Sequence, residues 1–203
     1  MRETLISIVY DDKTVLSAKI CVNEFKIGKI ILLTDKNPVA DAKEKQRRVV
    51  AEVKKLFSDI IPVEAIPISL YDIKQIAKDV VGIIDAQDKS EKIIVNVSHG
   101  RKPQAWAAYF AALKRIERIN KIVYITEETK EIIELPKIKF SLSEKQITIL
   151  KNIKEVDIDK ISKKVVLENA MIYRHIQKLQ EDGFLEKKNG TYELTDAGLI
   201  AIL

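Results

Sequence analysis

The sequence predicts two domains in series. The first is a Rossmann-like α/β domain with a mostly parallel sheet, residues 1–139, and the second is a winged helix-turn-helix domain, residues 140–203. Three observations carry this. β-branched runs alternate with amphipathic stretches through the first two thirds of the chain. A basic stretch containing Pro136, from Leu135 to Lys139, then breaks the pattern. Beyond it come three helical stretches, the hairpin dipeptide Asn189-Gly190 and a last helix.

In the first domain, apolar runs at 4–9, 29–34, 62–68, 92–97 and 121–126 read as strands, and the stretches 14–25, 39–57, 70–86 and 102–118 read as helices. Strand, helix, strand at this spacing gives right-handed crossovers and a doubly wound sheet. A short run, 130–135, follows the fifth strand too closely for a helical crossover, so an antiparallel edge hairpin is expected. Pro136 cannot continue a central strand, which places the boundary near Lys139.

In the second domain, Ser143 caps a helix whose apolar positions are Ile147, Ile149, Leu150 and Ile153. Asp157 is expected to cap a short helix from Ile158 to Val165. A third helix, about 168–182, carries Ile172, Ile176 and Leu179 on one face, and Gly183 is suited to the left-handed residue that ends it. Asn189-Gly190 between short strands matches a type I′ turn, which needs positive φ at both positions. Asp196 is expected to cap the last helix.

Charge and composition narrow the function. The net charge is +5 over 203 residues. The excess lies entirely in residues 1–140, with 25 Lys+Arg against 20 Asp+Glu, while residues 141–203 hold 10 of each. Nucleic-acid contacts by the second domain must therefore come from local placement of charge. No apolar run reaches the ~18 residues of a membrane span, and Leu5 to Val9 reads as a strand rather than a leader, so a cytoplasmic chain with no membrane partner is expected. The single cysteine, Cys21, excludes an internal disulfide and sits in an apolar-patterned helix, which predicts a buried structural thiol. No Walker A loop and no GxGxxG occurs, and no cofactor or metal is called for; His175 reads as a surface or dimer-contact residue.

Two constellations carry chemistry. Asn96, Val97, Ser98, His99, Gly100, Arg101 and Lys102 end a buried strand and open a helix. Glycine permits close approach of the backbone, a helix N-terminus favours an anion, and the two cations add charge. The carboxyl end of a parallel strand is where doubly wound sheets bind ligands. In the third helix of the second domain, the apolar stripe leaves Asn169, Tyr173, Arg174, Gln177 and Lys178 facing outward, suited to a DNA major groove, with Lys187 and Lys188 beside the hairpin tip in reach of phosphates. Contacts with protein alone remain the alternative for this domain.

The segment Asn96 to Lys102 is similar to the Asn-x-Thr/Ser-Gly-Gly-x-Lys/Arg motif of CRISPR-associated Rossmann-fold (CARF) domains, with His99 in place of the usual glycine. Asn169 to Leu185 and Tyr192 to Gly198 resemble the recognition helix and wing of bacterial and archaeal winged-helix regulators. The order of the two domains resembles archaeal CRISPR-associated transcription regulators. The resemblance implies a homodimer that binds a cyclic oligoadenylate, typically the tetra-adenylate, at its two-fold axis and controls CRISPR-associated genes through DNA. It also implies ligand contacts from Tyr10, Asp11 and Asp12 after the first strand and from Thr34 and Asp35 after the second. No catalytic residue is assigned. A ring nuclease, with Ser98 and Lys102 as its working residues, and a regulator sensing another anion remain open.

Overall fold

A computed structural model describes residues 2–137, 142–153, 168–188 and 190–203. They fall into two compact units, Met1–Lys139 and Phe140–Leu203. The expected helix from Ile158 to Val165, with its cap Asp157, and Asn189 of the hairpin turn lie outside the described residues.

The first unit runs β1 (Glu3–Ile8), α1 (Lys13–Glu24), β2 (Ile27–Asp35), α2 (Ala40–Phe57), β3 (Val63–Ile68), α3 (Ile73–Asp85), β4 (Lys92–Asn96), α4 (Lys102–Lys114), β5 (Ile119–Ile125) and β6 (Ile132–Glu134). The sheet order is β3-β2-β1-β4-β5-β6, parallel except for β6, which pairs antiparallel with β5. Two crossovers leave β1 toward β3, and the chain then returns past β1 to β4 and β5. Right-handed crossovers run in opposite directions therefore set α1 and α2 on one face and α3 and α4 on the other. The loops after β1 and β4 part toward opposite faces and leave a crevice between them.

β1 and β4 are apolar on both sides because helices cover both faces: Leu5, Ile6, Ile8, Ile93 and Ile94 are all buried. The face beneath α1 and α2 packs Leu5, Ile30, Leu32 and Ile94 against Val15, Ala18, Cys21, Val49 and Val53. On the other face α3 lies against α4, and buried Ala107, Ala108, Ala111 and Ala112 let the helices approach closely.

Two helix boundaries differ from expectation. α3 begins at Ile73 rather than at 70, because the Asp72 carboxylate accepts the Gln75 amide at 3.1 Å and caps the helix there. α4 ends at Lys114 rather than at 118. The Arg115 guanidinium reaches Asp85 at 2.7 and 2.8 Å, and Arg118 donates to the carbonyls of Gln87 and Asp88. These bonds to the end of α3 turn the chain into β5.

The second unit contains α5 (Glu144–Asn152), α6 (Asn169–Glu181), β7 (Leu185–Lys188), β8 (Thr191–Leu194) and α7 (Asp196–Ala201). Ser143 caps α5 in a reciprocal box with Gln146. α6 ends in a Schellman motif: Phe184 N–H donates to Leu179 O, Gly183 N–H to Gln180 O, and Gly183 has φ +78°. β7 and β8 form the expected hairpin. The cap of α7 is Thr195, not Asp196. The Thr195 hydroxyl accepts the Gly198 amide at 3.1 Å and donates to Gly183 O at 2.7 Å, leaving Asp196 in the first turn, where its charge suits the helix dipole. Among the described residues, no helix is long and apolar enough to cross a membrane.

Candidate functional site

The crevice at the carboxyl ends of β1, β2 and β4 is built on a buried polar frame. Asn96, the last residue of β4, is buried and lies opposite Ser7 of β1. Its amide nitrogen donates to Ser7 Oγ at 3.2 Å and Ser17 Oγ at 3.3 Å. Its carbonyl oxygen accepts both the amide and the hydroxyl of Ser98. Ser98 Oγ in turn accepts the Ile125 amide at 2.7 Å, tying the loop to β5. Asn96 and Ser98 thus hold the loop in place, and the hydroxyl proton of Ser98 is committed to Asn96.

A second frame crosses beneath the loops. Arg101 N–H donates to Gln104 Oε1 at 3.1 Å, and Gln104 Nε2 donates to Asp35 Oδ1 at 2.7 Å. Asp35 N–H donates to Gln46 Oε1 at 3.0 Å, and Gln46 Nε2 reaches Val9 O at 3.3 Å. The three side chains are buried. Asp35 is therefore a brace joining the loops after β1, β2 and β4, not an open contact. Thr34, beside it in β2, is half-buried.

Gly100 has φ +97°, and a Cβ there would lie 2.4 Å from Ile8 Cγ2. The close approach that glycine permits is onto the core strand. Lys102 opens α4 and is exposed, while Arg101 is half-buried. The Arg101 guanidinium sits 5.8 Å from the ring centre of Tyr10 and 5.4 Å from that of Tyr71, and Lys45 Nζ lies 5.9 Å from the Tyr10 ring. These are cation–π distances. Arg101 Nε and His99 Nε2 are buried without hydrogen-bond partners among the described residues. Burial pushes the His99 pKa down, partly opposed by the nearby carboxylates of Asp11 and Glu127, so the ring is neutral near pH 7. Asp11 accepts the Lys13 amide at 3.1 Å, and Asp12 pairs with Arg48 at 2.8 Å.

The structure sets Tyr10, Asn96, Ser98, Gly100, Arg101 and Lys102 at one end of the sheet, together with Tyr71, Lys45 and Gln46, which the sequence reading does not include. Assigning 70–72 to α3 concealed Tyr71. A buried glutamine in a charged helical stretch, such as Gln46, carries no signal in the sequence. Among the described residues no group of three His, Cys, Asp or Glu side chains is placed to hold a metal. The arrangement offers an anion two cations and a helix N-terminus on a rigid floor.

On α6, Ile172, Ile176 and Leu179 are buried against Ile149, Leu150 and Leu185. Asn169, Tyr173, Arg174, Gln177 and Lys178 are exposed, as are Lys187 and Lys188. Some of that charge is locally compensated: Lys178 pairs with Asp182 at 2.8 Å, Lys188 with Glu186 at 2.6 Å, and Gln177 bonds Glu181 at 3.2 Å. Lys187 lies over the Tyr192 ring at 5.7 Å.

A family model described as HFX_2341_N:-like, N-terminal, matches residues 8–131. The chain belongs to that family. No curated protein matches it. Solved structures share the fold: protein VC1899 from Vibrio cholerae, 13% identical with a TM-score of 0.52, aligned over 98% of this chain and 63% of that one; and Csm6 from Enterococcus italicus bound to cyclic hexa-2'-fluoro-hexa-dAMP, 10% identical with a TM-score of 0.53, over 89% and 55%. Can2 from Sulfobacillus thermosulfidooxidans, in complex with cyclic tetra-adenylate, is 15% identical with a TM-score of 0.47, over 98% and 62%. The chain thus spans between 55% and 63% of the length of these proteins.

Proposed function

We propose that the first unit is a CARF domain that binds a cyclic oligoadenylate, the tetra-adenylate ring, at the axis of a homodimer. The second unit is a winged helix-turn-helix that binds DNA, so the chain is a ligand-responsive regulator of CRISPR-associated genes. The observation that carries the reading is the placement of Lys102 and Arg101: both cations open α4 at the crevice, on a loop fixed from below by Asn96. The likeness of Asn96 to Lys102 to the CARF motif supports the ligand class, and the fold shared with a Csm6 that holds a cyclic oligonucleotide is consistent with it. A two-fold ring of phosphates meeting two copies of this floor makes each contact twice.

The ring-cleaving alternative draws no support from Ser98, whose hydroxyl already donates to Asn96 and accepts from Ile125. The outward face of α6, polar beside a buried stripe, supports a groove-reading helix.

Calorimetry with rings of different size tests the ligand. The tetra-adenylate is expected to bind at micromolar concentration or tighter, and Lys102→Ala to weaken it at least ~10-fold, since a charge-assisted hydrogen bond contributes ~1.5–3 kcal/mol. Failure of every ring to bind removes the ligand reading. Sedimentation at micromolar concentration tests the dimer, and a monomer overturns it. For DNA, Arg174→Ala is expected to cost ~1–3 kcal/mol at a specific site, whereas changing Lys187 and Lys188 should weaken all DNA alike and lower the salt slope. Absence of salt-dependent DNA binding by the full chain overturns that part.

A further inference from the structure

The crevice continues beyond the cations of the β4–α4 loop. Tyr10, just past the end of β1, is 42% exposed, and Tyr71, in the β3–α3 loop, is 62% exposed. A single exposed ring is ordinary, whereas apolar surface grouped at a site and rimmed by charge is the form that contact surfaces take. Both belong to one cluster, because the Arg101 guanidinium lies within cation–π range of each ring and Lys45 lies near Tyr10. Arg101 itself is held by its backbone bond to the braced Gln104. Phosphate alone would use the cations and leave the rings idle. A ligand that alternates charge with flat π-surfaces would use both, as single-stranded nucleic acids do on aromatic platforms.

We propose that Tyr71, and with it Tyr10, is a nucleobase-stacking platform beside the phosphate floor, with Arg101 as the cation between base and phosphate. This rests on the cyclic oligoadenylate reading and adds to it the residues that distinguish a nucleotide from a bare polyanion. Lys102 and Arg101 meet phosphate oxygens, and the open ring of Tyr71 receives an adenine that the ring ligand turns outward. Stacking tolerates any base with a π-face and favours the larger purine surface, so the platform ranks purine above pyrimidine rings without reading a base edge.

The test is the affinity of cyclic tetra-adenylate, across a range of salt, for the full chain and for Tyr71→Ala, Tyr71→Phe and Tyr10→Ala. Tyr71 is exposed, so these changes leave the core intact. Tyr71→Ala is expected to weaken binding about 10-fold with the salt dependence unchanged, because stacking is not screened. Tyr71→Phe is expected to stay within about 2-fold of the parent, since it keeps the π-face, and cyclic tetra-uridylate is expected to bind more weakly than the adenylate ring. Parent-like binding by Tyr71→Ala, with Lys102→Ala still impaired, overturns the platform and leaves the ligand reading standing. A fall in salt dependence with Tyr71→Ala also overturns it, because Tyr71 then acts only by holding Arg101. If the parent binds no ring, the ligand reading fails and the platform with it.

Discussion

Gly100→Ala puts the geometry of the loop under test. The residue has φ +97°, a conformation that costs an L-residue at least ~1–2 kcal/mol. The added methyl would also meet Ile8 Cγ2 at 2.4 Å, and Ile8 is a fully packed core side chain. Forcing one extra carbon into such a place costs ~1–3 kcal/mol. The two terms together predict a loss of ~2–5 kcal/mol, and with a mid-range urea slope of ~2 kcal/mol per molar the midpoint should fall by about 1–2.5 M. Trp106, the single tryptophan, lies on α4 with its ring 6.0 Å from Phe110 and reports the first unit by fluorescence; far-ultraviolet circular dichroism gives a second probe. Removing the obstructing atom separates the terms. Ile8→Ala deletes Cγ2 and leaves Cβ, the next contact at 3.2 Å. The double variant should then be more stable than the sum of the singles implies, by ~1–2 kcal/mol. A midpoint shift under ~0.3 M for Gly100→Ala, or strict additivity with Ile8→Ala, would refute the packing argument.

Two further predictions concern titration and reactivity. Burial pushes the Cys21 thiol up to about 12 from an ordinary value near 9, so the unfolded chain loses this proton first. Stability should be constant below pH 9 from this group and fall by ~1.4 kcal/mol per unit above it, a slope that Cys21→Ala abolishes; a thiol reagent should label Cys21 only on unfolding, and fast labelling of the native protein would contradict its burial. His99 has a lowered pKa, so the unfolded chain binds its proton more readily and the stabilisation present above about pH 6.5 is lost as the pH falls. Denaturation at pH 7 and pH 5 should show that decline, and His99→Asn should flatten it; an unchanged slope in the variant would place the titration elsewhere.

The middle of the sheet is legible in the sequence because β1, β2 and β4 are buried on both faces and read as continuous apolar, β-branched-rich runs. The antiparallel edge was legible from the shortness of its connection. What escaped reading was decided by individual side-chain bonds, some local and some between residues far apart in sequence. The start of α3 turns on one carboxylate, Asp72, against the apolar continuity of Leu70. The end of α4 turns on Arg115 and Arg118 meeting residues 85–88. The loop Asn96–Lys102 announces itself by composition, yet the frame beneath it does not. Asp35 and Gln104 are 69 positions apart, and Gln46 sits among charged residues that mark a solvent face. Lys178 and Lys188 read as open cations from position alone, whereas Asp182, one helical turn on, and Glu186, two residues back on the same strand, each pair with one of them.

The brace from Gln46 through Asp35 to Gln104 has a bearing on affinity that its bond lengths do not express. These bonds tie the loops after β1, β2 and β4 to one another, so a ligand of the proposed kind would not have to organise the backbone that receives it. What remains to be immobilised is a small set of exposed side chains, Lys102, Tyr10 and Tyr71, at ~0.5–1.5 kcal/mol each. On the proposed reading the site is preorganised, and its selectivity would fall to the shape of the ligand: a rigid, closed molecule that matches the spacing of these groups would lose little freedom on arrival, while a floppy linear chain with the same groups would have to surrender its own.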